Sequence, residues 1–228
     1  MKGTLYGTGV GPGDPELLTL KAFYTIQKTS IIAIPSSSKE RCTAYQIALQ
    51  AIPELESKTI LPLSMPMTKD PILLKESHTM AAHTIEQYLK QGEDVCFLTL
   101  GDPTVYSTYM YIHHLIAEKG YPTVIQSGIP SFCAAAASFQ ISLAEQSEPI
   151  IIVPASYQPD SFLDLPGTKI LMKSGKQISK VKSSLKKHEL DVYMAENCTM
   201  AGEALYHSIE EIPDNACYYS LIIAKSQK

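Results

Sequence analysis

Short continuous apolar runs recur along the chain, separated by longer stretches in which apolar and polar positions mix. The clearest is Val95-Cys96-Phe97-Leu98-Thr99-Leu100, which predicts a strand covered on both faces within a parallel sheet. It breaks at Gly101-Asp102-Pro103, where the chain must turn at the strand's carboxyl end. Glycine admits close approach to the backbone, and proline fixes the next φ and can open a helix. Open α/β sheets bind ligands just beyond the carboxyl ends of their strands. The stretch from Leu100 to Tyr106 is therefore the first candidate site.

The remaining pattern falls around this strand. Thr4-Leu5-Tyr6-Gly7-Thr8-Gly9-Val10 predicts a first strand entering a glycine-rich loop, Gly7-x-Gly9-x-Gly11-x-Gly13. Asp14 suits an N-cap, with Pro15 at the first helical position and Glu16 in the first turn. Leu17, Leu20, Tyr24 and Ile26 are the expected apolar side of that helix. Ile31-Ile32-Ala33-Ile34 predicts a strand, 43–51 a helix and Thr59-Ile60-Leu61 a strand. Asp70-Pro71 caps a long helix through Gln91, ended by Gly92. A helix over 105–119 and a strand at Thr123-Val124-Ile125-Gln126 follow. This alternation predicts a doubly wound parallel sheet. After a short segment 134–139, strands are expected at 150–153, 169–172, 192–195 and 217–223. A boundary near Ser127 divides the chain into an N-terminal α/β domain, 1–126, and a C-terminal α/β domain, 127–228.

Composition narrows the chemistry. The 228 residues are 45% hydrophobic and 18% charged, with a net charge of -4, which disfavours a general nucleic-acid binder. No apolar run approaches the ~20 residues of a membrane span, and Met1-Lys2-Gly3-Thr4 enters a strand directly, so a cytoplasmic protein is expected. Cys42, Cys96, Cys133, Cys198 and Cys217 contain no C-x-x-C pair, and the six histidines offer no i, i+4 metal pair, so no metal is expected. The first loop does not complete G-x-G-x-x-G, and no acidic residue follows the second strand, which argues against nicotinamide chemistry. Arg41 is the sole arginine, whereas Lys169, Lys173, Lys176, Lys180, Lys182, Lys186 and Lys187 crowd one segment free of acids. That segment reads as a solvated helix face or as a rim attracting a polyanion.

Three ordered motifs carry a resemblance. Gly9-Val10-Gly11-Pro12-Gly13-Asp14-Pro15-Glu16-Leu17-Leu18-Thr19-Leu20-Lys21 resembles the N-terminal signature of the tetrapyrrole methylases. Leu100-Gly101-Asp102-Pro103 and Ser127-Gly128-Ile129-Pro130-Ser131 resemble the second and third signatures. Pro66-Met67-Thr68-Lys69-Asp70, Tyr106-Ser107-Thr108 and Glu196-Asn197-Cys198-Thr199 are similar to the branch that methylates carbon 20 of precorrin-2. Lys69 stands where that branch has arginine, and a point charge replaces a planar fork there.

The resemblance implies two α/β domains, the first a parallel sheet and the second mixed, with the active site in the cleft between them and within a homodimer. It implies S-adenosyl-L-methionine as cofactor and a tetrapyrrole substrate, precorrin-2 or cobalt-factor II, in cobalamin biosynthesis; the alternatives are methylation of another macrocycle carbon and a non-catalytic cofactor-binding protein on the same fold. The cofactor contacts it implies are Val10, Leu100, Gly101, Asp102, Val105, Pro130, Ser131, Phe132, Met172, Cys198, Tyr219 and Ser220, mostly through backbone. Pro12, Gly13, Asp14, Arg41, Lys69 and Tyr106 are the expected substrate contacts. A sulfonium methyl and an electron-rich macrocycle carbon must meet in line at about 3 Å, so positioning supplies most of the catalysis. No residue identifies itself as the proton acceptor.

Overall fold

The structure, a computed structural model, describes residues 1–154 and 160–226. Two compact units emerge, Met1–Pro130 and Ser131–Lys228. The first contains strands β1 (Leu5–Gly9), β2 (Ile31–Ile34), β3 (Thr59–Pro62), β4 (Val95–Thr99) and β5 (Thr123–Gln126). Between them run helices α1 (Leu20–Lys28), α2 (Thr43–Ala51), α3 (Pro71–Lys90) and α4 (Tyr109–Glu118). All five strands are parallel, in the order β3-β2-β4-β1-β5.

Side chains alternate between the faces of a strand, and in β2 and β4 every residue is buried. Ile31, Ala33, Val95 and Phe97 pack with Ala81, Ala82, Ile85 and Leu89 of α3 and Tyr109, Ile112 and Ile116 of α4. Ile32, Ile34, Cys96 and Leu98, on the opposite face, are at most 0% exposed. Covering both faces removes the polar alternation of a half-solvated strand, which is why these segments read as continuous apolar runs.

The elements of the first unit follow the sequence pattern with two corrections. Asp14 Oδ1 accepts from Glu16 N at 2.8 Å, but the helix it caps is a single 3-10 turn, Pro15–Leu17. Thr19 then caps α1, which resets the helix phase. Ala22, Thr25 and Ile26 are buried, whereas Leu20 and Tyr24 point outward. The helix expected from residue 105 begins at Tyr109, because Tyr106 takes a left-handed φ of 48° that no helix accommodates.

One ion-pair cluster ties α3 to the segment after α4. Glu86 accepts from Lys119 Nζ at 2.6 Å and lies 3.1 Å from Lys90 Nζ. The hydrogen bond from Lys119, then that from Lys90, holds its carboxyl down at about 2. A carboxylate depressed in the folded state stabilises above its ordinary pKa and loses that contribution as pH falls through the folded value. Glu86→Gln is therefore expected to lower the unfolding temperature at neutral pH, with the gap to wild type closing between pH 4.5 and about 2. Thermal unfolding followed across that range checks it, and a gap independent of pH refutes it.

The second unit contains α5 (Ser131–Phe139), β6 (Ile150–Pro154), α6 (Asp160–Leu163), β7 (Thr168–Met172), α7 (Ile178–Leu185), β8 (Leu190–Glu196), β9 (Ala204–Tyr206) and β10 (Ser220–Ser226). Its sheet is mixed, in the order β6-β7-β10-β8-β9, with only β6 and β7 parallel. Phe162, Leu163, Ile178, Val181 and Leu185 pack on one face against Leu171, Val192, Met194 and Ile222. The last strand starts at Ser220, three residues later than expected, since Cys217 to Tyr219 form a loop held by side chains.

Candidate functional site

In the first unit the loops after β1, β4 and β5 converge at the carboxyl ends of their strands. Gly11 and Gly101 form an antiparallel bridge, with Gly101 N donating to Gly11 O at 2.7 Å. Asp102 is the junction of the second and third loops. Its Oδ1 accepts from Thr104 N at 2.7 Å and Thr104 Oγ1 at 2.5 Å, and its Oδ2 accepts from Gly128 N at 3.0 Å. This last bond keeps residues 127–130 with the first unit.

Two glycines here answer different needs. Gly101 has a φ of 71°, and an added Cβ would meet nothing nearer than Ile129 O at 3.9 Å. Conformation requires glycine there, and open space remains beside it. Gly128 is needed for closeness, since a Cβ on it would lie 2.1 Å from Gly101 O and 2.9 Å from Gly9 Cα.

Beneath the loops runs a buried polar chain. Cys96 Sγ donates to Thr8 Oγ1 at 3.3 Å, Thr8 Oγ1 to Gln126 Oε1 at 3.3 Å, and Gln126 Nε2 to Thr25 Oγ1 at 2.7 Å. Burial pushes the Cys96 thiol up to about 12, so it is a packing group and hydrogen-bond donor rather than a nucleophile.

The structure thus joins Val10, Pro12, Gly13 and Asp14 on one loop to Leu100, Gly101, Asp102, Val105 and Tyr106 on the next, with Pro130 ending the third. Val10 is fully buried and its N–H is committed to Thr99 O at 2.9 Å. Arg41 and Lys69 follow β2 and β3 at the same end of the sheet, and both are exposed.

The second unit has its own convergence. Leu221 pairs with Met172, and Lys173 N donates to Ser220 O at 3.1 Å. Asn197 N donates to Tyr219 O at 3.1 Å, and Cys198 Sγ lies 4.0 Å from Ser131 O. The carboxyl ends of β7 and β8, the start of β10 and the start of α5 therefore bring Ser131, Met172, Cys198, Tyr219 and Ser220 together. Phe132 follows Ser131 with its side chain buried. The Cys198 thiol is raised to about 12, first by burial and then by Glu203, which leaves it protonated.

Glu196 supports this end without having been assigned a role from sequence. Its Oε1 accepts from Cys217 N at 2.5 Å and its Oε2 from Tyr206 OH at 3.1 Å, which fixes the loop carrying Tyr219. No local spacing signals it, since its partners lie 10 and 21 residues away. Lys173, Asn197 and Thr199 take φ values of 61°, 48° and 60°, left-handed non-glycine residues that follow β7 and β8 at one end of the sheet. Such conformations cost about 1–3 kcal/mol each and persist where surrounding contacts impose them, often at ligand sites.

The lysine-rich segment is not one surface. Lys169 is buried in β7, with its pKa lowered by desolvation, and Lys182 is committed to Ile212 O and Asp214. Among the described residues no group of three histidine, cysteine, aspartate or glutamate side chains could hold a metal ion. No helix among the described residues is long and apolar enough to cross a membrane.

These features define an α/β protein of two compact units, each with loops converging at the ends of its strands. Residues 4–213 match the family Tetrapyrrole (Corrin/Porphyrin) Methylases. The chain belongs to this family and is a methyltransferase. It is 38% identical over 171 residues, 75% of its own length and 72% of the other, to a Methanocaldococcus jannaschii protein described as a probable cobalt-precorrin-2 C(20)-methyltransferase. It is 27% identical to the precorrin-2 C(20)-methyltransferase of a Sinorhizobium species, across 99% of this chain and 96% of that one. The fold matches that of uroporphyrin-III C-methyltransferase from Thermus thermophilus complexed with S-adenosylhomocysteine. The TM-score is 0.72 at 19% identity, over 98% of this chain and 97% of the other.

Proposed function

We propose that the protein transfers a methyl group from S-adenosyl-L-methionine to carbon 20 of precorrin-2 or cobalt-factor II in cobalamin biosynthesis. The supporting observation is the similarity, over most of the chain, to two proteins named as C(20)-methyltransferases, one of cobalt-precorrin-2 and one of precorrin-2. When bound, the cofactor supplies an electrophilic methyl on a sulfonium centre.

The residues fit such a group. Open space lies beside the Gly101 backbone, and the Ser220 hydroxyl is buried with no hydrogen-bond partner among the described residues. The proposed cofactor contacts are Val10, as packing, with Leu100, Gly101, Asp102, Val105, Pro130, Ser131, Phe132, Met172, Cys198, Tyr219 and Ser220. Asp102 orients the Gly101 turn, and the protonated Cys198 and Cys96 offer no competing nucleophile. Pro12, Gly13, Asp14 and Tyr106 would border the macrocycle, and the protein would act as a homodimer, which sedimentation analysis checks.

Incubation with S-adenosylmethionine and the metal-free or cobalt-loaded dimethylated tetrapyrrole tests the proposal. The expected product has gained one methyl group, located at carbon 20 by NMR. A methyl at another carbon overturns the regiochemistry, and cofactor binding without turnover on either substrate overturns the activity.

Arg41 carries a further prediction. A polycarboxylate substrate needs cations, yet the chain is net negative and Arg41 alone presents a fixed fork. Because Arg41 is exposed, any pair it makes is solvated and worth little. Arg41→Ala is expected to raise KM for tetrapyrrole about two- to fivefold at low salt and less at ~0.15 M, with cofactor affinity unchanged. Steady-state kinetics matching wild type at low salt would remove Arg41 from the substrate contacts.

A further inference from the structure

The lysine-rich segment contributes its cations to different places, and the topology sorts them. Lys186 and Lys187 precede β8, whose first residue Leu190 pairs with Ser226, the end of β10 remote from Ser220. Lys180 and Lys182 lie on α7, and Lys182 is already bound to Asp214 at 3.0 Å. Lys169 is buried within its strand. Lys173 alone of these directly follows Met172, at the edge where Cys198, Tyr219 and Ser220 meet.

Three observations single out Lys173. The residue is exposed although partial desolvation lowers the pKa of its ammonium, and the ion pairs among the described residues involve Lys90, Lys119, Lys182 and His188, leaving Lys173 without a carboxylate. Glu196 and Glu203, at and beyond the end of β8, are engaged, Glu196 by Tyr206 OH and Cys217 N, and Glu203 by Thr199 N and Ser138 Oγ. Its φ of 61° is unfavourable for a residue with a Cβ, and is pinned by the bond from its own N–H to Ser220 O. Neither stability nor a partner among the described residues accounts for a lysine there. Glycine would meet the backbone requirement at lower cost.

We propose that Lys173 binds a ligand carboxylate at the β7, β8 and β10 strand ends. This rests on the methyltransferase reading, which supplies two sources of that chemistry: the amino-acid carboxylate of the cofactor and the acetate or propionate groups of the tetrapyrrole. An ammonium on a flexible stem suits a single carboxylate without demanding a fixed fork.

Titration calorimetry on the full chain separates the possibilities. The ligands are S-adenosylhomocysteine, 5′-methylthioadenosine (which lacks the carboxylate) and the metal-free dimethylated tetrapyrrole. Lys173→Met is expected to weaken one carboxylate ligand about three- to tenfold, and Lys173→Arg to recover part of the loss. Weakened S-adenosylhomocysteine with unchanged 5′-methylthioadenosine assigns the cofactor carboxylate, whereas weakened tetrapyrrole alone assigns the substrate. Lys173→Gly, which removes the charge and suits the φ, should bind as poorly as Lys173→Met while unfolding at no lower temperature than wild type. Unchanged affinity for both carboxylate ligands overturns the proposal, as does a loss that tracks lowered unfolding temperature in every variant. Failure of the wild-type protein to bind S-adenosylhomocysteine overturns the methyltransferase reading instead.

Discussion

Asp102→Ala is expected to lower the unfolding temperature by roughly 5–15 °C and to remove detectable methyl transfer. The carboxylate accepts three hydrogen bonds while only 7% exposed, and two of them come from backbone N–H groups on different loops. Alanine leaves the Gly128 and Thr104 N–H groups short of a partner, at about 1–3 kcal/mol each. For a chain of this length each kcal/mol moves the transition by about 2–4 °C. Activity should suffer more than stability, because the loop from Gly101 to Val105 would lose its anchor to the loop after β5. Asp102→Asn keeps an acceptor for Thr104 but turns either a poorer acceptor or an NH2 toward Gly128, so an intermediate loss is expected. Calorimetry of the folded variants with S-adenosylhomocysteine checks the placement. An Asp102→Ala protein that melts within 2 °C of wild type and binds with full affinity would falsify it.

What could be read from the sequence followed from local rules. Buried strands announce themselves as apolar runs, and β2 and β4 stand where those runs stand. Asp70-Pro71 and Gly92 bracket α3 because caps act through adjacent residues. The failures lie where a local signal gave way to a constraint from elsewhere. Thr19 inserted a second cap and turned Leu20 and Tyr24 outward. Tyr106 is held at a φ that delays α4, although Pro103 and the residues after it look helix-ready. In α7, Ile178, Val181 and Leu185 form a regular apolar stripe, but the lysines between them drew the eye to charge. The site divides in the same way. Motif residues such as Gly101 and Gly128 occupy the strand ends where sequence placed them, whereas the partners of Glu196 and the isolation of Lys173 depend on segments far along the chain.

The glycine at 128 is expected to be among the least replaceable residues of the first unit. Gly128→Ala places a methyl 2.1 Å from Gly101 O, 2.9 Å from Gly9 Cα and 3.0 Å from Gly9 C. Every one of these neighbours is backbone, so no side chain can rotate away. The strands behind them cannot yield either, since Gly9 pairs with Thr99 in the β1–β4 ladder and Gly101 is bridged to Gly11. Relief must come from displacing the 127–130 loop, which breaks the bond from Gly128 N to Asp102. Overpacking of this kind costs about 1–3 kcal/mol, and the lost charge-assisted bond about 1.5–3 more. The sum predicts a fall in unfolding temperature of roughly 5–20 °C. Gly101→Ala makes an informative contrast: its Cβ would have room, and only the φ of 71° penalises it, at about 1–2 kcal/mol. Gly128→Ala should therefore melt well below Gly101→Ala. In the fraction that remains folded, Gly101→Ala should show the larger loss of affinity for S-adenosylhomocysteine per degree of stability lost, since its methyl enters the space left open for ligand. Equal melting temperatures would mean that the three loops are not packed backbone to backbone as the structure has them.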